Sequence, residues 1–250
     1  EAKKRGGYIL SIVNVVGSSI ARESDDVLYT WAGPEIAVAT TKAYSTQLAV
    51  LDMIGLAFGE VLGTVKKEEY NEAVTGLQKL PEKMEQFLAG ESCEAIPKYA
   101  SQYFNHNSVF FIGRNLDYAL GLEGSLKLKE ISYIHSEAYA SGELKHGTIS
   151  LITDGVPVIA LATQKKVYEK TISNAKETKS RGAKVLLFTT RDAVVPDGVA
   201  DYVVRLDDYD DLLMPLQLIV PLQLFAYYMA VLRGCDVDKP RNLAKSVTVE

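Results

Sequence analysis

One stretch of the chain places a lysine between two glutamates at helical spacing. It runs from Leu122 to Ile134 and reads LEGSLKLKEISYI. Residues three and four apart share a face of an α-helix, so Lys127 would lie beside both Glu123 and Glu130. The pattern is compatible with a solvated face of ion pairs. It is also compatible with a helix beside a site or a subunit contact, because its glycines let another backbone come close.

Two of the three histidines lie in the next segment, residues 135–147, which reads HSEAYASGELKHG. Its polar and small residues predict a loop rather than a strand. His146 could shuttle protons near neutral pH, or it could be an ordinary surface or capping residue. His135 and His146 lack an H-x-x-x-H spacing or a cysteine partner, so the segment predicts no metal site.

The C-terminal residues 236–250 contain a lysine among apolar neighbours. Pro240 prevents the preceding helix from continuing into this tail. The apolar residues of the tail are Leu243, Ala244, Val247 and Val249. We therefore expect the tail to pack into a cleft with Lys245 in its middle. A lysine shielded in this way can attack a carbonyl as a Schiff-base nucleophile, whereas the alternative is a surface lysine.

The composition excludes several classes of protein. The chain has 250 residues, 47% of them hydrophobic and 24% charged, which is typical of a globular protein with a sizeable core. Its net charge of −5 and the absence of a long basic run argue against a nucleic-acid partner. Cys93 and Cys235 lie far apart, so neither a disulfide framework nor a zinc site is indicated and a reducing cytoplasm fits. The sequence contains no Walker A and no dinucleotide-binding motif.

One segment, Leu212–Leu232, carries no charge and is long enough to cross a bilayer. Prolines and glutamines interrupt it, and an acidic run precedes it. We therefore expect a helix buried in a protein core and no membrane contact. The N-terminus has no signal-peptide pattern and no initiator Met, which suggests a piece of a longer chain.

Short apolar runs alternate with longer segments of helical period, which predicts an α/β fold with parallel strands. The candidate strands are Tyr8–Val15, Val27–Trp31, Ser108–Ile112, Val156–Ala162, Lys184–Thr189 and Tyr202–Leu206. The candidate helices are Pro34–Val61, Lys66–Leu88, Glu94–Asn105, Tyr118–Ile134, Lys165–Ser180 and Leu212–Arg233. Pro34 and Pro97 are expected near helix starts, where a missing N–H is tolerated.

The chain repeats itself with an offset of 176 residues. Eleven identities fall on the same order of elements without a gap, for example Arg5-Gly6 on Arg181-Gly182. Residues 1–56 match only the back half of the second copy, so about 81 residues of a first unit would be missing, and a ligand crevice with them. The predicted division is the back half of a first unit plus a linker helix over 1–90, a second unit over 91–236, and a tail over 237–250.

Three long stretches together resemble the glucosamine-6-phosphate synthase family, in its C-terminal isomerase part of two sugar-isomerase (SIS) units. They are residues 30–48, 123–147 and 238–250. The resemblance implies two SIS units with parallel sheets flanked by helices, the first one incomplete. It also implies a cytoplasmic homodimeric enzyme without metal or organic cofactor, which converts fructose 6-phosphate and glutamine to glucosamine 6-phosphate.

The same resemblance implies roles for individual residues. Lys245 would form the Schiff base with the open-chain sugar, Glu130 would move a proton between C1 and C2, and Lys127 would assist at the sugar oxygens. His146 would be the ring-opening acid or base and would reach the site of a neighbouring subunit. The residues expected to touch the sugar are Val38, Thr40 and Ala244, with Thr40 replacing the usual serine of the motif.

Two features of the family have no counterpart in these residues. The N-terminal glutaminase domain is absent, so we expect this chain not to release ammonia from glutamine itself. The serine- and threonine-rich phosphate loop of the first unit would lie in the missing segment. Two alternatives to a catalytic role are therefore a regulator that binds sugar phosphate without turnover and an inert fragment.

Overall fold

Seven strands form two parallel sheets in the computed structural model, which describes residues 1–245. The first sheet contains β1 and β2, and the second has the order β4-β3-β5-β6-β7. The strands are β1 Leu10–Val13, β2 Asp26–Tyr29, β3 Ser108–Gly113, β4 His135–Ala140, β5 Pro157–Ala162, β6 Lys184–Thr190 and β7 Tyr202–Leu206. All neighbouring strands pair in parallel, which confirms the α/β prediction.

Eight α-helices accompany the strands in residues 1–245. They are α1 Ser19–Glu23, α2 Lys42–Val61, α3 Lys67–Leu88, α4 Glu91–Glu94, α5 Ile96–Ala100, α6 Leu116–Ser132, α7 Tyr168–Lys179 and α8 Met214–Leu232. Short 3-10 turns occupy Lys3–Arg5, Leu144–His146, Thr148–Leu151 and Lys165–Val167.

The second sheet is covered on both faces, as its apolar strands predict. Side chains of β3 alternate between the two layers. Val109 and Phe111 pack into the cluster formed by α5, α6 and α8. Phe110 and Ile112 pack into the cluster on the opposite face, which includes residues of α7. This sheet is buried on both faces, and α6 packs against one of them.

Helix α8 is long and apolar enough to span a membrane by length and composition alone. In its most apolar stretch, 61% of the residues are buried inside the protein. It packs against α5 and α6 through Leu218, Leu222 and Phe225. The helix therefore behaves as the core element that the interrupting prolines and glutamines predicted.

The prediction of a loop over 135–147 is wrong for its first half. Residues His135–Ala140 form β4, an edge strand whose register places Ser108 opposite His135. The alternation of small and polar side chains looks like a loop because one face of this strand is exposed. Backbone pairing with β3 outweighs the weak strand propensity of the sequence.

Two predicted helices have wrong bounds. The predicted helix over Pro34–Val61 begins only at Lys42, and Pro34 does not lie at a helix start. The carboxylate of Glu35 instead accepts the backbone N–H of Ala43 at 3.0 Å, which satisfies one orphan donor of α2. The predicted helix over 94–105 is helical only at Glu94, which ends α4, and over Ile96–Ala100, with Pro97 in the first turn of α5 as expected.

The predicted packing of the tail is wrong for the residues that the structure describes. Leu243 and Ala244 are exposed, while Val247 and Val249 lie outside the described residues. Only Pro240 is buried in this part of the chain. The tail is held mainly by hydrogen bonds to other segments, such as those between Val38 and Asp238 and between Arg241 and Tyr133.

Candidate active site

Helix α6 lies between the second sheet and α8, and its small residues allow close packing there. A Cβ at Gly124 would come within 3.1 Å of the Phe111 ring and 3.2 Å of Leu222. The close approach permitted by Gly124 is therefore made to the core of the same chain. This packing fixes the rotation of α6 and so decides which way its charged residues point.

Lys127 is 4% exposed, which excludes the solvated-face interpretation for this lysine. Its Nζ lies 3.4 Å from Glu123 Oε1 and 2.6 Å from Glu130 Oε2. The two carboxylates are themselves largely shielded from solvent. One buried cation therefore serves two carboxylates on a single helical face.

The two glutamates differ in how they are held. Burial raises the pKa of Glu123, and the neighbouring Lys127 ammonium offsets part of that rise. Glu130 Oε2 is buried and accepts no aligned hydrogen bond from the residues that the structure describes. Its 2.6 Å contact with Lys127 is an ion pair that is not directed along a hydrogen bond. This oxygen therefore keeps lone-pair capacity for a proton.

A cavity of about 190 Å³ opens beside Lys127. Its wall includes residues of α6, α8, the segment before α2 and the segment after α8. The lining residues are Ala37, Ala39, Thr41, Lys127, Ile131, Gln223, Tyr227, Val237 and Asp238. Sequence reasoning missed Gln223 and Tyr227, which no local pattern distinguishes from other positions of an apolar helix.

The segment 37–41 is hydrogen-bonded to two other parts of the cavity wall, helix α8 and the segment after it. The backbone N–H of Val38 donates to the carbonyl oxygen of Asp238 at 2.9 Å. The Gln223 side-chain amide donates to the carbonyl oxygen of Thr41 at 3.4 Å. Val38 and Thr40 therefore lie in the segment beside Lys127, although the cavity is lined by the alternate residues Ala37, Ala39 and Thr41.

Lys245 lies beside the residues that precede this segment. Its ammonium donates to the carbonyl oxygen of Glu35, and it borders an open cavity of about 510 Å³. The other lining residues are Asn14, Val15, Gly33, Pro34 and Glu35. Residues 33–35 thus line the cavity at Lys245, whereas Ala37, Ala39 and Thr41 line the cavity at Lys127, so the two lysines border separate cavities along one segment. Ala244 precedes Lys245 and is exposed.

His146 ends the 3-10 turn after β4 and is exposed. It lines neither of the two cavities that the described residues form around Lys127 and Lys245. His135 lies 3.8 Å from Glu137 on the exposed edge of β4. Within residues 1–245 we find no group of three or more metal-ligating side chains.

Sequence comparison identifies the family. The profile of the SIS domain matches residues 1–57 and 102–233, which is most of the chain. The chain belongs to the SIS domain family. The matched ranges of this SIS chain include both sheets and the whole of helices α6 and α8.

Relatives place this SIS chain more narrowly. It is 56% identical over 250 residues to a glutamine–fructose-6-phosphate aminotransferase (isomerizing) of Caldanaerobacter subterraneus subsp. tengcongensis. The match covers 100% of this chain and 41% of that protein, so the SIS chain spans less than half the length of the curated relatives it matches. A second protein of the same name, from Thermococcus kodakarensis, is 49% identical over 249 residues and is covered to 41%.

A solved structure shows the same similarity. The C-terminal domain of glucosamine-fructose-6-phosphate aminotransferase from Francisella tularensis superimposes with a TM-score of 0.88 at 36% identity. The match covers 95% of this chain and 67% of that one. The SIS chain therefore corresponds to the C-terminal domain of these aminotransferases in sequence and in fold, and the predicted resemblance is confirmed.

Proposed function

We propose that this chain is the isomerase part of an enzyme that makes glucosamine 6-phosphate from fructose 6-phosphate and glutamine. The observation that carries the proposal is the Glu130 carboxylate, which is shielded, held by Lys127 at 2.6 Å, and free of an aligned hydrogen bond at Oε2 among residues 1–245. A carboxylate of this kind can take a proton from one carbon and return it to the next.

Lys245 supplies the amine in this proposal. Its nitrogen adds to the C2 carbonyl of the open-chain ketose, and water leaves as the imine forms. Ammonia then displaces the lysine amine, which leaves a protonated ketimine at C2. This exchange is supported by the exposed position of Lys245 at the rim of an open cavity. Lys245 and Lys127 border cavities lined by adjacent stretches of the segment 33–41, which supports a sugar bound along this segment.

Glu130 completes the reaction as the base. It removes a proton from C1 to give an enolamine and returns a proton to C2. The C1 hydroxyl proton ends on the C2 nitrogen, so an aldehyde and an ammonium group result and the charge balances. Lys127 keeps Glu130 in place and would assist at the sugar oxygens, and Val38, Thr40 and Ala244 would contact the sugar. The steps use side chains only and call for no metal or organic cofactor.

We infer that His146 acts in the site of a second subunit, as the ring-opening acid or base. Support comes from its exposure and from its absence among the residues that line the two cavities of the described chain. The proposed assembly is therefore a homodimer, located in the cytoplasm, with a glutaminase domain in the complete enzyme. We propose the same division as before: a first SIS part over 1–90, a second SIS unit over 91–236 and a tail over 237–250.

Borohydride trapping tests the proposal. The protein is incubated with radiolabelled fructose 6-phosphate, reduced, digested and mapped. We expect the label on Lys245, no label in Lys245→Arg, and full label in the matched control Lys239→Arg, which alters an exposed lysine of the same tail. Label spread evenly over surface lysines, or none at all, would overturn the proposal and would favour binding without turnover or an inert chain.

A further inference from the structure

Helix α6 ends with a tyrosine in an unusual backbone conformation. Tyr133 has φ 60° and ψ 19°, in the left-handed region that glycine usually occupies at this position of a helix. Its backbone N–H still closes the helix by donating to the carbonyl oxygen of Lys129 at 3.2 Å. A residue with a Cβ is strained in this conformation. Capping of the helix therefore does not explain why a tyrosine occupies this position.

The side chain of Tyr133 grips the C-terminal tail in two ways. The backbone N–H of Arg241 donates to Tyr133 Oη at 2.8 Å. The Arg241 guanidinium carbon lies 4.1 Å from the centroid of the Tyr133 ring, within the range of a cation–π contact. We name these two contacts the tail clamp.

The tail clamp lies between two other attachments of the same segment. Before it, the carbonyl oxygen of Asp238 accepts the Val38 N–H. After it, the Lys245 ammonium donates to the Glu35 carbonyl oxygen. Exposed residues separate Arg241 from Lys245, so the tail has little apolar burial of its own there. Without the clamp, residues 239–244 would have no hydrogen bond to α6 or its C-terminal cap among the contacts of the described chain.

We propose that Tyr133 is a positioning residue that sets where the Lys245 amine lies relative to a sugar bound beside α6. The inference rests on the proposed function. Glu130 and Tyr133 lie three residues apart on α6, and Arg241 lies four residues before Lys245. The clamp therefore ties the segment that carries the amine directly to the helix that carries the base. A displacement of about 1 Å between reacting groups can cost on the order of 10²-fold in rate.

Substitution by glycine separates positioning from a structural role. Tyr133→Gly relieves the left-handed strain and should leave the stability of the fold unchanged or improved. It nevertheless removes both contacts of the tail clamp. Tyr133→Phe removes only the hydroxyl acceptor, and Arg241→Ala removes only the guanidinium. The matched control is Tyr118→Phe, which removes a hydroxyl elsewhere on α6.

Two readouts are measured on each variant. The first is deuterium uptake of the backbone of residues 236–245, which reports the clamp without any reaction. The second is the rate of borohydride trapping at Lys245 with saturating fructose 6-phosphate. For Tyr133→Gly we expect fast deuterium uptake and trapping slowed on the order of 10²-fold. For Tyr133→Phe we expect trapping slowed roughly 2- to 12-fold, the loss of one hydrogen bond.

The two readouts distinguish the inference from the proposed function. If the unchanged protein gives no adduct at Lys245, the proposed function fails, and with it the positioning role. If the adduct forms normally but Tyr133→Gly traps at the unchanged rate, the positioning role alone is refuted. Unchanged deuterium uptake in Tyr133→Gly would refute the clamp itself. Faster uptake together with slower trapping, at unchanged thermal stability, supports the inference.

Discussion

The ammonium of Lys127 lies 2.6 Å from Glu130 Oε2, one helical turn away, and the two side chains are 6% and 22% exposed. A charge pair this deep is sensitive to the loss of its cation, because the carboxylates are then buried without a partner. Helix α6 thus carries the carboxylate that we propose as the base and the cation that stabilises it on the same face.

Glu130→Gln should slow proton transfer while the chain stays folded, because Lys127 keeps Glu123 as an ion-pair partner. We expect sugar formation by the complete aminotransferase to fall by roughly 10²- to 10⁴-fold, the usual contribution of a positioned base. Glutamine hydrolysis and trapping at Lys245 should persist, because neither needs this carboxylate. The control is Glu85→Gln on the exposed side of α3. Sugar formation at the unchanged rate in Glu130→Gln would refute the assigned role.

Lys127→Met should destabilise the fold by about 3–5 kcal/mol at pH 7, because it leaves Glu123 and Glu130 buried beside each other without a cation. Urea denaturation measures the change in the free energy of unfolding. Lys129→Met, an exposed lysine on the same helix, should change it by less than about 0.5 kcal/mol. Equal changes in the free energy of unfolding for the two substitutions would show that the buried ion pair contributes no more to stability than an exposed lysine.

Two glycines near β3 should respond oppositely to alanine. A Cβ at Gly113 would come within 2.7–2.8 Å of backbone atoms of Asp117 and Tyr118, which cannot move aside. A Cβ at Gly121 would make ordinary contacts of 3.6–3.8 Å. We expect Gly113→Ala to destabilise the protein by about 1–3 kcal/mol and Gly121→Ala to stabilise it by about 0.5–1 kcal/mol. Thermal unfolding of both variants decides, and a destabilised Gly121→Ala would contradict the packing described for α6.

Asp52 should make the protein less stable as the pH rises. Burial, together with the nearby Asp210 carboxylate, raises the pKa of Asp52 to about 6. Between its ordinary value near 3.9 and about 6, the folded state binds the proton more tightly than the unfolded state, so this contribution to stability is lost as the pH rises through that window.

Asp52→Asn removes the charge and should raise the midpoint of thermal unfolding at pH 7 by roughly 2 °C, a modest effect because Asp52 is only half-buried. At pH 4 the substitution should have little effect. The control is Glu60→Gln, at an exposed position of α2. A benefit of Asp52→Asn that is the same at pH 4 and pH 7 would contradict this assignment.

The amino-acid sequence by itself determined four of the five strands of the second sheet and the face of α6. Strand β5 is apolar along its whole length and β6 is apolar over residues 185–188, which already specifies burial on both sides. The spacing of Lys127 and Glu130 needs only a helix to bring the side chains together, and the resemblance of three long stretches pointed to the SIS family. These features depend on local periodicity or on motif identity, and both are visible in one dimension.

The tertiary structure alone decided which distant segments meet. Strand β4 exists because β3 offers an edge to it, and the segment before α2 stays irregular because its hydrogen bonds go to Gln223 and Asp238. The Tyr133 contact with Arg241 joins residues more than a hundred positions apart. No local propensity encodes such contacts, because their stability comes from packing and pairing that exist only after the chain has folded.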